Sequence, residues 1–223
     1  MKILAMSDIH GSLQVYRMIP RWVEEHKPEA VVLAGDLLGV SDDAHTVEEN
    51  QRASRASVQE ILRQVTVPVL YIMGNDDLIE LEPEGGRIQS LHGTRIELGR
   101  YNFVGYQYSL PFMGGIHEKP EEEIERDLDR LQAHLDEHTV LVTHSPAKGI
   151  LDDTFLGSAG SASLLALVER KTFRVHIHGH IHSCFGREGR HFNVASGLRV
   201  RGMLIDLSTL RHEVLGSPAL PGC

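Results

Sequence analysis

Seven side chains of metal-ligating type follow directly on short apolar runs. Asp8 and His10 follow Lys2–Met6 in the triplet Asp8-Ile9-His10, and Asp36 follows Ala30–Ala34 in Gly35-Asp36. Asn75 follows Val67–Met73 in Gly74-Asn75-Asp76-Asp77, His144 follows Thr139–Thr143, and His180 and His182 follow Phe173–His178 in Gly179-His180-Ile181-His182. Taken singly, each has an ordinary explanation: Asp8 as a helix cap, Asp36 or Asn75 as a turn residue, His144 as a satisfied buried histidine. Taken together, three oxygen ligands and four imidazoles at one place would be a costly concentration of polar groups, and cations compensate them best. Mixed nitrogen and oxygen ligation suits Mn, Fe, Zn or Ni better than Ca or Mg, which prefer oxygen alone.

Such residues can act together only if the elements before them end at a common place. The first four runs are almost continuously apolar, as in strands covered on both faces. Polar stretches with helical periodicity separate the runs: Leu13–His26, Ala44–Gln64, Glu121–Glu137 and Ser163–Lys171, with Ser12 and Ser41 to Asp43 placed as caps. Ile88 to Tyr108 alternates with glycine punctuation and predicts antiparallel strands or hairpins, while His191–Val194 and Val200–Leu207 add two strands. The alternation predicts an α/β layer architecture, in which ligands gather beyond the carboxyl ends of the strands.

The 223 residues, 41% of them hydrophobic, suit one soluble globular domain, expected over 1–215 with a mobile tail at 216–223. A net charge of -9 argues against a nucleic-acid-coating role, which requires cationic surface. The first apolar run meets Ser7 and Asp8 too soon for an export signal or a membrane span. Cys184 and Cys223 make no disulfide framework and have no CxxC spacing, so a cytoplasmic, reducing location is expected.

With the order DxH, GD, GN, H and GHxH from Asp8 to His182, the sequence resembles the calcineurin-like metallophosphoesterases. Thr143-His144-Ser145-Pro146 and Asn193 to Gly197 are similar to further segments of that family, and the likeness is greatest to its small bacterial phosphodiesterase-like members. The resemblance implies a four-layer αββα sandwich of two mixed β-sheets flanked by helices. It also implies a dinuclear centre of divalent transition-metal ions, manganese first, with Asp8, His10 and His182 on one ion, Asn75, His144 and His180 on the other, and Asp36 between them. The reaction implied is hydrolysis of a small phosphodiester, or a phosphomonoester, by in-line attack of a hydroxide bridging the ions, with Asp36, Asn75 and Asp76 at the reacting centre. No stable nucleic-acid complex and no membrane partner are expected; a second copy of the chain is a candidate partner. The competing readings are a scaffold or regulatory module that keeps the fold without turnover, and a repair-type nuclease, for which length and cationic surface are lacking.

The resemblance is incomplete at two places. Where the family carries GNH[DE], this chain has Asp76 in place of the histidine that contacts substrate; a carboxylate beside two cations is a poor proton donor, so alkyl leaving groups should be hydrolysed slowly. His45 and His117 are the candidate replacement donors. Gly39 stands where many relatives carry Asp or Asn. The role of Asp77 is open, Ser145 is a weak nucleophile candidate, and His176 and His178 are expected to pack rather than ligate. Basic residues concentrated from Arg170 to Arg201 predict a local positive field for a phosphate. The aromatic, glycine-rich segment Gly105–Gly115 would cover substrate, form a dimer contact or serve as a connector.

Overall fold

The apolar runs are buried along nearly their whole length and assemble into two stacked sheets, as a strand without a polar face requires. The structure is a computed structural model, and it describes residues 1–39, 46–112, 114–197 and 199–216. In the first sheet β1 (Lys2–Met6), β2 (Ala30–Ala34), β3 (Val69–Ile72) and β4 (Ile88–Ser90) run parallel. On the far side of β1 lie antiparallel β13 (Arg201–Asp206) and β14 (His212–Gly216). In the second sheet β6 (Tyr101–Tyr106), β7 (Thr139–Thr143), β10 (Val175–His178) and β12 (His191–Asn193) run parallel, flanked by antiparallel β5 (Arg95–Leu98) and β11 (Gly186–Glu188).

Three apolar layers hold the sandwich together. Between the sheets, Ile3, Val32 and Ile72 meet Val140, Ile177 and Phe192. Outside the first sheet, α1 (Leu13–Tyr16), α2 (Met18–His26) and α3 (Val47–Leu62) bury Tyr16, Trp22 and Val58. Outside the second, α4 (Glu121–Leu131) and α5 (Ala162–Arg170) bury Ile124, Leu128 and Leu164, and the acidic side of α4 is left to solvent. This is the expected four-layer αββα arrangement.

Several boundaries differ from the sequence expectation. The first helix divides at Arg17, and Ser12 makes no side-chain cap. The cap of α3 is Thr46, which exchanges hydrogen bonds with Glu49, whereas Ser41 to Asp43 lie outside the described residues. The 121–137 helix ends at Leu131 and tightens into a 3-10 turn over Gln132–His134. In the 88–108 region only β5 and β6 form an antiparallel hairpin, because β4 joins β3 in parallel. A small hairpin of β8 (Asp153–Thr154) and β9 (Gly157–Ser158) carries too little apolar pattern to be foreseen. Gly216 closes β14, and residues 217–223, the expected tail, lie outside the described residues. Cys184 is buried, and Cys223 lies outside the described residues. No described helix is long and apolar enough to cross a membrane.

Candidate metal centre

The seven predicted side chains meet, and they do so across two sheets rather than along the edge of one. Asp8, Asp36 and Asn75 follow β1, β2 and β3 of the first sheet; His144 and His180 follow β7 and β10 of the second. Asp8 Oδ1 lies 3.1 Å from His182 Nε2, and that nitrogen lies 3.5 Å from His10 Nε2. Asp36 Oδ2 is 4.0 Å from His10 Nε2 and 3.4 Å from His144 Nε2, which is in turn 2.9 Å from Asn75 Oδ1. His180 completes a group with Asp36 and His144 whose ligand atoms lie within 4.8 Å of one another, as do those of Asp8, His10 and His182.

The backbone is bent to bring them there. Of the seven non-glycine residues with positive φ among the described residues, four are Asp8, His10, Asp36 and His180, each a predicted ligand held in a conformation that L-residues rarely adopt. Glycines make room for the same side chains. A Cβ on Gly74 would stand 2.2 Å from Asp36 Oδ1, and one on Gly179 would stand 2.3 Å from Asp8 Oδ2. The glycines before Asn75 and His180 are therefore steric requirements of the site rather than turn punctuation.

A second set of contacts fixes the ligands. Asp8 accepts from Ser7 Oγ at 2.5 Å and from the His180 amide at 3.0 Å. His144 Nδ1 faces the Ala34 carbonyl at 2.9 Å, which fixes it as the donor and turns Nε2 toward the cleft. Asp77 is fully buried and accepts from the amides of Leu37, Leu38 and Gly74, so it clamps the Asp36 loop onto the Asn75 loop. Asn193 donates to the Ile181 carbonyl, and Arg201 donates to the carbonyls of Ala195 and His182. Asp77 and Arg201 were not legible as positioning residues, since their partners are backbone groups of distant loops. Asn193 was signalled only through its family-like segment.

Charge is finely divided in this space. Burial works to raise Asp8 and Asp36, but the Asp8–His182 hydrogen bond and the His144 charge outweigh it and hold both carboxyls below their ordinary value. His144 is driven the other way: burial opposes its charge, yet Asp36 and Asp8 raise it to about 10. His180, also buried and repelled by His144, falls to about 4. Burial and the Asp36 charge raise Asp76, and the same two causes push Asp77 up to about 7.

The donor set fits two transition-metal ions. Ligands held about 2.0–2.2 Å from one ion stand roughly 3 to 4 Å from each other, and the separations of 2.9, 3.1, 3.4, 3.5 and 4.0 Å fall in that range. His10 Nδ1 is buried without a hydrogen-bond partner among the described residues. Asp76 Oδ2 stands 3.8 Å from it.

The remaining candidates are placed elsewhere. His117 is buried behind the Asn75 loop, its Nδ1 on the Gly74 carbonyl at 3.0 Å and its Nε2 toward Glu80, which removes it as a proton donor at the mouth. His45 lies outside the described residues. Ser145 is buried, and its hydroxyl is on the Pro146 carbonyl. His176 and His178 pack in the second sheet, as expected. In the basic segment Arg170 pairs with Asp129, while Arg174, Arg187, Arg190 and Arg201 donate to neutral backbone carbonyls and so keep their charge.

Comparison with known proteins gives a family and a fold. The family model of calcineurin-like phosphoesterases matches residues 1–184. Two solved chains, each 17% identical, cover 96% of this chain and 98% of their own length, with TM-scores of 0.77 and 0.72; the second is TT1561 of Thermus thermophilus. A dimetal phosphatase from Danio rerio, 12% identical, covers 87% of this chain and 86% of its own with a TM-score of 0.57. No curated protein matches the sequence significantly.

Proposed function

Since the chain belongs to the calcineurin-like phosphoesterase family, we propose that it is a dinuclear-metal hydrolase of phosphodiesters. The observation that carries this reading is Asp36: one of its oxygens lies within reach of His10 in one ligand group and of His144 in the other, as a bridging carboxylate must. Asp8, His10 and His182 would hold one ion, and Asn75, His144 and His180 the other. Mixed nitrogen and oxygen donors suit Mn, Fe, Zn or Ni, and Mn is put first among them only by the family resemblance. Two such ions supply an activated water, polarisation of the phosphoryl oxygen and charge stabilisation at the leaving oxygen.

The chain's own residues orient and select. His144 keeps its Nδ1 proton on the Ala34 carbonyl, and Asn75 is held by Asp76, whose Oδ1 accepts from Asn75 Nδ2 at 2.8 Å. Were His10 to hold an ion through Nε2, its ring would keep a proton on Nδ1, which stands 3.8 Å from Asp76 Oδ2. Asp76 is therefore a positioning carboxylate for His10 rather than an acid for the leaving group. Its side chain is partly exposed at the cleft, where its charge repels a dianionic monoester more than a monoanionic diester. That difference supports reading diesters ahead of monoesters.

The test is metal analysis of the purified chain, followed by hydrolysis of aryl phosphodiesters and monoesters with Mn, Ni, Zn or Mg added. Transition-metal-dependent turnover that Asp36→Ala abolishes is the expected result. Bound metal without turnover on any ester would leave the scaffold reading instead.

A further inference from the structure

Among the described residues five large apolar side chains are exposed, and four of them stand on two segments beside the metal ligands. Phe112 and Ile116 are 67% and 58% exposed in the segment 109–118, and Phe155 and Leu156 are 96% and 82% exposed at the tip of the β8–β9 hairpin. Scattered exposed apolar residues need no explanation, but four on two segments fastened near the predicted ligands do.

Both segments are fastened to the ligand loops. A Cβ on Gly115 would stand 2.1 Å from the Asn75 carbonyl oxygen, His117 is hydrogen-bonded to Gly74, and the Glu118 carboxylate accepts from the amides of Phe112 and Gly114. Phe112 consequently stands edge-on to the ring of His180, with centroids 5.8 Å apart. On the other side, the carbonyl of Asp153 accepts from Ser183 Oγ at 3.3 Å and lies 3.4 Å from Cys184 Sγ, tying the hairpin to the turn that carries His182.

Resting on the phosphoesterase reading, we propose that this rim is the subsite for an apolar substituent of the substrate: the preferred phosphoester carries an aryl or alkyl-chain group that lies against Phe112 and Ile116. Contact between Phe112 and a candidate ligand places the apolar wall within one ring of the expected phosphoryl position, where a substituent on phosphorus must lie. A second copy of the chain seated on the same side chains would close the cleft. An anionic lipid surface would meet a chain of net charge -9. A substituent of the substrate meets neither obstacle.

The test uses the full chain loaded with Mn and p-nitrophenyl alkyl phosphodiesters bearing methyl, butyl or octyl groups, which share one leaving group. kcat/KM should rise by on the order of tenfold or more from methyl to octyl, as burial of several methylenes requires. In the double variant Phe112→Ser, Ile116→Ser the dependence on chain length should flatten while metal content is unchanged. A flat series in the parent chain, or the same slope in the variant, overturns the subsite. If ions bind but no ester is hydrolysed, the phosphoesterase reading fails, and calorimetry with methylphosphonate and octylphosphonate decides the subsite separately: equal affinities overturn it. A concentration-dependent dimer that Phe112→Ser dissolves would also overturn it, in favour of self-association.

Discussion

Four histidines alternate through one stretch of chain, His176, His178, His180 and His182, and they divide into a packed pair and a pair set among the carboxylates of Asp8 and Asp36. His176 and His178 lie within β10; His180 and His182 lie beyond its end. His176 contacts Thr143 Oγ1 at 2.8 Å and His191 Nδ1 at 3.1 Å, and His178 Nδ1 faces the Gly179 carbonyl at 3.5 Å. Burial drives both below the ordinary histidine value, His178 to about 3. Beyond the strand His182 is raised, first by its hydrogen bond to Asp8, whereas His180, buried and repelled by His144, is lowered to about 4. The residue type is the same in both regions; an opposing carboxylate past the strand end distinguishes a candidate ligand from a packed ring.

The sharpest way to break this comparison is to exchange the regions' losses. His180→Ala should lower turnover by on the order of a thousandfold, a loss of roughly 4 kcal/mol of transition-state stabilisation, and should release about one ion per chain. His176→Gln should leave metal content intact. Elemental analysis with steady-state kinetics reads both, and equal metal loss in the two variants would erase the distinction.

A smaller effect is expected one layer out, at Asp77. Asp77→Ala leaves the buried amides of Leu37, Leu38 and Gly74 without their acceptor, at about 1–3 kcal/mol each. The melting temperature should fall substantially, with metal affinity lowered by roughly 10- to 100-fold, as for other partners of metal-ligand loops. Asp77→Asn retains one acceptor oxygen and should recover part of both.

The sequence displayed the ligands because each follows directly on an apolar strand, and strand ends are legible from composition. It displayed the sheets for the same reason. The clamps were hidden because Asp77 and Arg201 act on main-chain groups, which every residue carries. Nothing in the composition of β7 or β10 announces that they belong to a second sheet; the two-sheet arrangement was implied by the family resemblance alone. In the basic segment, likewise, counting charges does not show that Arg174 and Arg190 cross-link carbonyls.

Asp76 gives an intermediate test. Asp76→His restores a proton donor and removes the carboxylate facing His10, so two opposed changes are expected. Turnover on alkyl leaving groups should rise relative to aryl ones by roughly tenfold or more, while metal affinity measured by calorimetry should fall. An equal change on all esters with unaltered affinity would return Asp76 to the surface.

The smallest effect concerns the packed histidines themselves. His176 is faced by His178, His191 and Arg190, and burial together with those groups holds its proton affinity well below the ordinary value; His191 is lowered to about 4, first by burial and then by Arg190. In the unfolded chain both titrate near 6.5. Between about pH 4 and 6.5 the unfolded state therefore binds more protons, so stability is complete above 6.5 and declines as pH falls through that window. His144 and His182, raised in the fold, contribute the opposite slope, so the metal-free chain and its His176→Gln variant must be compared at each pH. The difference in melting temperature between them should narrow from about pH 7 to about pH 5, because only the parent must keep that buried imidazole neutral. A constant difference would mean that His176 titrates in the fold as it does in the unfolded chain, and that burial does not hold it neutral.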